Sequence, residues 1–143
     1  MTKQQSGFTL IELVLVIVIL GILAATALPR FSSLTTEART AAVNGLAGGV
    51  RGASSIAHAT FLAKAWADGA QTIDGQTITF VNGYPDVATI PLMLTENPVT
   101  GFTLAAGVWT KDGSGTPANC SVTYTAAGAG GSPGIVAVTT GCP

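Results

Sequence analysis

Charge is scarce in this chain: six Lys and Arg, seven Asp and Glu and one His among 143 residues. Lys64, Lys111 and Arg51 form no patch and no basic run exists, so nothing predicts nucleic-acid binding by phosphate neutralisation. Cysteine is as scarce. Cys120 and Cys142 have neither a His nor a further Cys nearby, which leaves no set of metal ligands. They read as a disulfide of an oxidising compartment, with two buried thiols as the alternative. Such a bridge closes a loop of about 23 residues and stabilises a small domain by roughly 3 kcal/mol on the chain-entropy account. Catalytic settings are missing too. No G-x-S-x-G occurs, and Asp68, Asp74, Asp86, Glu96 and Asp112 are scattered, so neither a nucleophile with its base nor an acid pair is in view. No enzyme activity, metal or cofactor is expected. Aromatic residues, at 6%, are too sparse to carry electrons along stacked rings.

What the chain has instead is apolar surface, 48% of its residues, concentrated in residues 8–28. As a helix this run of about 21 residues spans roughly 31 Å, the thickness of a bilayer's hydrocarbon. A secretory signal peptide has a shorter apolar core. "LAATAL" offers a cleavage site of that kind, but the core is long and Pro29 follows. At the other end the polar leader "MTKQQSG" meets the apolar run abruptly at Gly7-Phe8. Lys3 and the amino terminus favour a cytoplasmic start, a bias that Arg30 and Arg39 weaken.

The stretch "GFTLIELVLVIVILGILAATALPRF" resembles the N-terminal signature of type IV pilins and of the pseudopilins of type II secretion. The resemblance implies that a prepilin peptidase cuts after Gly7 and methylates the new amino terminus at Phe8. It makes Glu12 the assembly glutamate of the mature chain, and it makes Gly21 and Pro29 positions where the helix loosens on assembly. Elementary physics agrees with the last two. Pro29 has no N–H for the Ala25 carbonyl, and Gly21 costs about 1 kcal/mol relative to Ala.

Glu12 also poses a question of its own, because a carboxylate inside a bilayer costs roughly 3 kcal/mol or more and wants a partner. Cleavage at Gly7 creates one, the amine of Phe8. Within one chain the two lie four residues apart, near the positive end of the helix dipole. Between chains, the amine of an incoming subunit meets a neighbour's Glu12; at about 4 Å and an effective dielectric of 20 that attraction is roughly 4 kcal/mol, enough to select a register among apolar helices. A glutamate snorkelling to the interface is the alternative.

Beyond Pro29 the composition stays favourable to helix as far as Ala67, ahead of Asp68-Gly69, giving a helix of about 55 residues. Val43, Leu46, Val50, Ala53 and Ala57 share one face, and Asn44, Arg51, Ser55 and His58 a polar one, where His58 reads as solvated surface. Gly45, Gly48, Gly49 and Gly52 form a third stripe. Four helical glycines cost about 3 to 4 kcal/mol against alanine, so a strand of the chain's own head, a neighbouring filament helix, or local unwinding is expected there.

Past Gly69 the chain reads as short strands. Asp74-Gly75 marks a two-residue hairpin and Asn82-Gly83 another turn before "YPDVATIPLML"; "GFTLAAGVWT", "CSVTYTA" and "GIVAVTT" follow. An antiparallel sheet of four or five strands, packed on the upper helix, is expected. Folding Cys120–Ala126 back on Val136–Cys142 around "GAGGSPG" sets Cys120 opposite Cys142. That agrees with the C-terminal disulfide-bounded loop of many type IV pilins and departs from major pseudopilins. The fold class is thus α+β: a leader over residues 1–7, an apolar membrane and filament-core helix over 8–29, an amphipathic helix over 30–68, and a β-sheet head over 69–143.

"PRFSSLTTEARTAAVNGLAGGVRGASS" with "VNGYPDV" is most similar to pilins of the mannose-sensitive haemagglutinin type. The resemblance implies a subunit of a surface pilus used for attachment: a prepilin in the bacterial inner membrane that a pilus assembly platform builds into a helical homo-oligomer. No residue can be assigned to a surface glycan receptor, and Asn119-Cys120-Ser121 reads as a chance glycosylation triplet. A type II secretion pseudopilin is the alternative, and a membrane-tethered periplasmic enzyme a minor one.

Overall fold

The computed structural model describes residues 7–142, without the side chains of residues 28–33 and 117. The leader residues before Gly7 therefore lie outside the described residues, and so does the side chain of Pro29. The chain divides into two compact units, Met1–Thr35 and Thr36–Pro143. One helix, α1 (Leu10–Ala63), contributes to both, and its helical backbone runs through Gly21 and Pro29.

In the first unit α1 is apolar on every side. The window Leu10–Ala27 has a mean hydropathy of 2.8 and none of it is buried within the chain. Large side chains such as Leu10, Ile11, Leu15 and Leu20 stand more than half exposed. Each would gain roughly 1.5 to 3 kcal/mol on leaving water, so lipid or other helices must cover this segment.

In the second unit α1 becomes one-sided. Val43, Leu46, Ala47, Val50, Ala53 and Ala57 are buried, at the three- and four-residue spacing of a single helical face. Val43 through Ala53 pack with Ile90, Trp109, Cys120, Val122 and Tyr124, while Ala57 packs with Ile78 and Phe80. The helix ends at Ala63, ahead of the Asp68-Gly69 break where composition placed it. Ala65 turns left-handed at φ 48°, and the N–H groups of Ala65 and Trp66 bond the carbonyls of Leu62 and Phe61 at 3.1 Å each. This is a Schellman closure with alanine in glycine's usual place. Packing accounts for it, since the reversal sets both Phe61 and Trp66 on Phe80, with ring centroids 5.0 and 6.0 Å away.

Two antiparallel sheets, not one, follow among the described residues. The first joins β1 (Gly69–Ile73), β2 (Gln76–Val81) and β3 (Tyr84–Pro85) in that order. Its turns are Asp74-Gly75 and Asn82-Gly83, all four residues at φ between 48° and 80°, as the type I′ turn demands. The second joins β4 (Phe102–Ala105), β5 (Val108–Lys111), β6 (Ser121–Thr125) and β7 (Gly134–Val138). "GFTLAAGVWT" is thus a hairpin and not one strand, reversing at Ala106 (φ 47°) and Gly107 (φ 79°). "YPDVATIPLML" contributes the two-residue β3 and a 3-10 turn, Ile90–Met93, because Pro85 and Pro91 cannot donate to a ladder.

The glycine stripe lies in intact helix, and a Cβ at Gly45, Gly48, Gly49 or Gly52 would meet nothing of the chain within 4 Å. Unwinding and close approach of the chain's own sheet are both set aside.

Candidate functional sites

At the helix start, Gly7, Phe8 and Thr9 precede the first helical residue, and the Phe8 side chain is 81% exposed. Glu12 is held by Thr9. Its Oε2 accepts the Thr9 backbone N–H at 2.9 Å and the Thr9 hydroxyl at 2.6 Å, while the Glu12 N–H points at Thr9 Oγ1 at 3.4 Å. This is a capping box, in which the N-cap threonine and the glutamate three residues on satisfy each other's orphan groups. The signal is present in the sequence as T-x-x-E, Thr9 to Glu12.

The arrangement answers part of the question that Glu12 raises. Its carboxylate sits among the unbonded N–H groups and positive dipole of a helix N-terminus, which lowers the cost of an acid there before any second chain arrives. Both members of the box lie beyond the Gly7-Phe8 bond, so cutting that bond leaves the box whole and adds an amine one residue before it.

In the head, the Asn82-Gly83 turn is clamped from three directions. Asp68 accepts the N–H groups of Asn82 and Gly83, each at 2.8 Å; Asn82 Nδ2 donates to the Ala127 carbonyl at 2.8 Å; and His58 Nδ1 meets the Gly83 carbonyl at 2.7 Å. His58 also stacks on Tyr84 at 3.9 Å and 7°. It is a half-buried packing residue, not the solvated one its place on the polar face suggested. Below the turn, the buried Tyr124 hydroxyl donates to the Pro85 carbonyl at 2.6 Å. Burial pushes the Tyr124 phenol above its ordinary value, the nearby Asp86 and Tyr84 charges add to this, and the Ser54 hydroxyl opposes it.

Cys120 and Cys142 form a disulfide with Cα atoms 4.9 Å apart, both buried. The two are not opposite each other in the ladder. Ser121 pairs with Val138, three positions out of the register expected from folding the two segments about the glycine-rich tip. Strand pairing stops there, and residues 139–141 turn Cys142 back onto Cys120. Gly141 makes this turn fit: its N–H bonds the Asn119 carbonyl at 2.9 Å, and a Cβ there would fall 2.4 Å from Asn119 Cβ and from Thr116 Oγ1.

Residues 2–28 match the family model described as the prokaryotic N-terminal methylation motif. Along a longer stretch the chain is 40% identical over 108 residues to a fimbrial protein of Moraxella nonliquefaciens, covering 75% of this chain and 66% of that protein. The chain belongs to the type IV pilin family. Other relatives match over shorter stretches. The type IV narrow pilus major component PilA5 of Thermus thermophilus is 56% identical over 54 residues, 38% of this pilin and 47% of that protein. The type II secretion system core protein G of Pseudomonas aeruginosa is 51% identical over 43 residues, 30% of each chain. This pilin thus spans about half to two thirds of the length of the first two relatives. No solved structure matches it.

Proposed function

We propose that this chain is a structural, non-enzymatic subunit of a surface type IV pilus. It starts as a prepilin in the bacterial inner membrane, cut between Gly7 and Phe8 by a prepilin peptidase and N-methylated on Phe8. The observation that carries this reading is the window Leu10–Ala27, wholly uncovered by its own chain and lying within the stretch that matches the methylation motif. In the membrane, lipid covers it; in a helical homo-oligomer built on an assembly platform, sister helices do. One apolar surrounding replaces another, so assembly needs no large net gain in burial and stays reversible. Glu12 then selects the register by meeting a neighbour's Phe8 amine, with Gly21 and Pro29 as the points where the helix loosens. Attachment is proposed on the resemblance to mannose-sensitive haemagglutinin-type pilins alone.

The test is the intact mass and N-terminus of protein sheared from cells. A start at Phe8 with one added methyl and two hydrogens lost to the disulfide is expected; a start at Met1 sinks the reading. The match to a type II secretion protein supports a second reading, a pseudopilin of a short secretion filament, which the disulfide weighs against. Electron microscopy of shear fractions separates them, since the pilin reading requires long surface fibres.

A further inference from the structure

Asparagine followed by glycine is prone to lose its side-chain amide, because a glycine without a Cβ leaves its own N–H open to approach. The chain holds two such pairs, Asn44-Gly45 and Asn82-Gly83. In the reaction the glycine nitrogen gives up its proton and attacks the asparagine Cγ. A Cγ–N bond forms, the Cγ–Nδ2 bond breaks, and Nδ2 leaves as ammonia; water then opens the succinimide ring to aspartate or isoaspartate. Ring closure requires the asparagine Cβ and the glycine nitrogen to eclipse one another about the Cα–C bond.

The fold opposes this at the two pairs by different means. Gly45 lies inside α1, where each N–H is tied to the carbonyl four residues earlier. Asn82 stands exposed at a type I′ turn outside any such ladder, and one carboxylate takes the ladder's place. Asp68 Oδ2 accepts the Asn82 N–H and Oδ1 the Gly83 N–H, each at 2.8 Å. The two nitrogens therefore sit side by side about the Asn82 Cα–C bond, and bringing the Gly83 nitrogen over Cβ takes a third of a turn that breaks its bond to Asp68. The carboxylate's charge also disfavours the amide anion that attack requires. The other reacting group is turned away, since Asn82 Nδ2 donates to the Ala127 carbonyl at 2.8 Å. His58 on the Gly83 carbonyl, at 2.7 Å, fixes the peptide beyond.

We propose that Asn82 is a deamidation site whose rate Asp68 controls, and that its conversion unfastens the head's two sheets. Asn82 follows β2 of the first sheet and Ala127 lies past β6 of the second, so the Nδ2 bond joins them. A carboxylate at position 82 has no proton to give the Ala127 carbonyl and sets a second negative charge close to Asp68. The isoaspartate form adds a carbon to the backbone as well, which the two-residue turn has no room for. The site lies wholly within the head and does not depend on the filament reading.

The experiment incubates the full chain in detergent micelles at mildly alkaline pH, digests it with trypsin and follows the amide-to-acid mass change on peptides 40–51 and 65–111, which carry one Asn-Gly pair each. Both pairs should convert about tenfold or more slowly in the folded chain than in denaturant. Asp68→Ala, which removes two hydrogen bonds to a charged group, should speed conversion at Asn82 about tenfold or more and leave Asn44 at its wild-type rate. Asp68→Asn, with one acceptor oxygen and no charge, should fall between and serves if Asp68→Ala does not fold. Asn82→Asp, which installs one of the two products, should lower the thermal midpoint of the head. Four outcomes overturn the proposal: Asn82 converting as fast in the folded chain as in denaturant, no change at Asn82 in the Asp68 variants, an equal rise at Asn44 and Asn82, which marks global unfolding, or Asn82→Asp melting with wild type.

Discussion

Two roles for Glu12 make opposite demands on two substitutions. As a cap it needs only an acceptor, and as half of an ion pair it needs a charge. Glu12→Gln keeps an amide oxygen for the Thr9 N–H and hydroxyl, because Gln serves in a capping box as Glu does. It removes the charge. Thr9→Ala does the reverse, taking away the hydroxyl that both donates to Oε2 and accepts from the Glu12 N–H, and leaving the carboxylate charged. Losing an N-cap costs about 1 kcal/mol, a factor of about five in local helix stability. Losing an amine–carboxylate attraction at about 4 Å costs roughly 4 kcal/mol at an effective dielectric of 20, close to three orders of magnitude. Filament yield should therefore collapse in Glu12→Gln and survive in Thr9→Ala, measured as pilin in shear fractions against total membrane pilin. Circular dichroism of the full chain in micelles should show unchanged helix content for the first variant and fraying confined to one turn for the second. Wild-type pilus numbers from Glu12→Gln would refute the ion pair. Failure of Thr9→Ala beside a wild-type Glu12→Gln would make capping the whole of Glu12's role.

Asp68→Ala removes the acceptor of two backbone N–H bonds at the Asn82-Gly83 turn; with one of them exposed, a loss of about 2 kcal/mol in denaturant midpoint is expected, and less for Asp68→Asn. Replacing Cys120 and Cys142 together by Ala frees a loop closed at a separation of 22 residues and should cost roughly 3 kcal/mol, readable by thermal melts of oxidised wild type against the variant. Alkali should act through Tyr124. Its phenol is raised on folding, so the folded chain binds more protons than the unfolded one once pH passes about 10, the unfolded value. The stability from the neutral buried phenol is complete below that pH and is lost as pH climbs towards the folded value. Tyr124→Phe should flatten this alkaline loss, followed by melts between neutral and high pH.

Local pattern settled much of the molecule. The apolar run, the buried face Val43–Leu46–Val50–Ala53–Ala57 and the turns Asp74-Gly75 and Asn82-Gly83 follow from period, length and the few residues that tolerate positive φ, all of which act over a handful of positions. The capping box belongs with them, since Thr9 and Glu12 are three residues apart.

Long-range packing decided the rest. Ala65 and Ala106 take left-handed backbone that alanine does not seek, because burying Phe61 and Trp66 on Phe80, and pairing β4 with β5, outweighs a local cost of about 1 to 2 kcal/mol. The register of β6 on β7 depends on inward placement of Cys120, Val122 and Tyr124 against α1, a constraint invisible to a two-strand reading. His58 left the solvent for the same reason, since its partners Gly83 and Tyr84 lie 25 and 26 positions along the chain. By itself the sequence determined which segment is apolar enough to cross a membrane and which helix face is buried. Only the tertiary structure decided how the head's strands divide into two sheets and which polar groups meet around the Asn82-Gly83 turn, because those choices rest on burial shared among residues far apart in the chain.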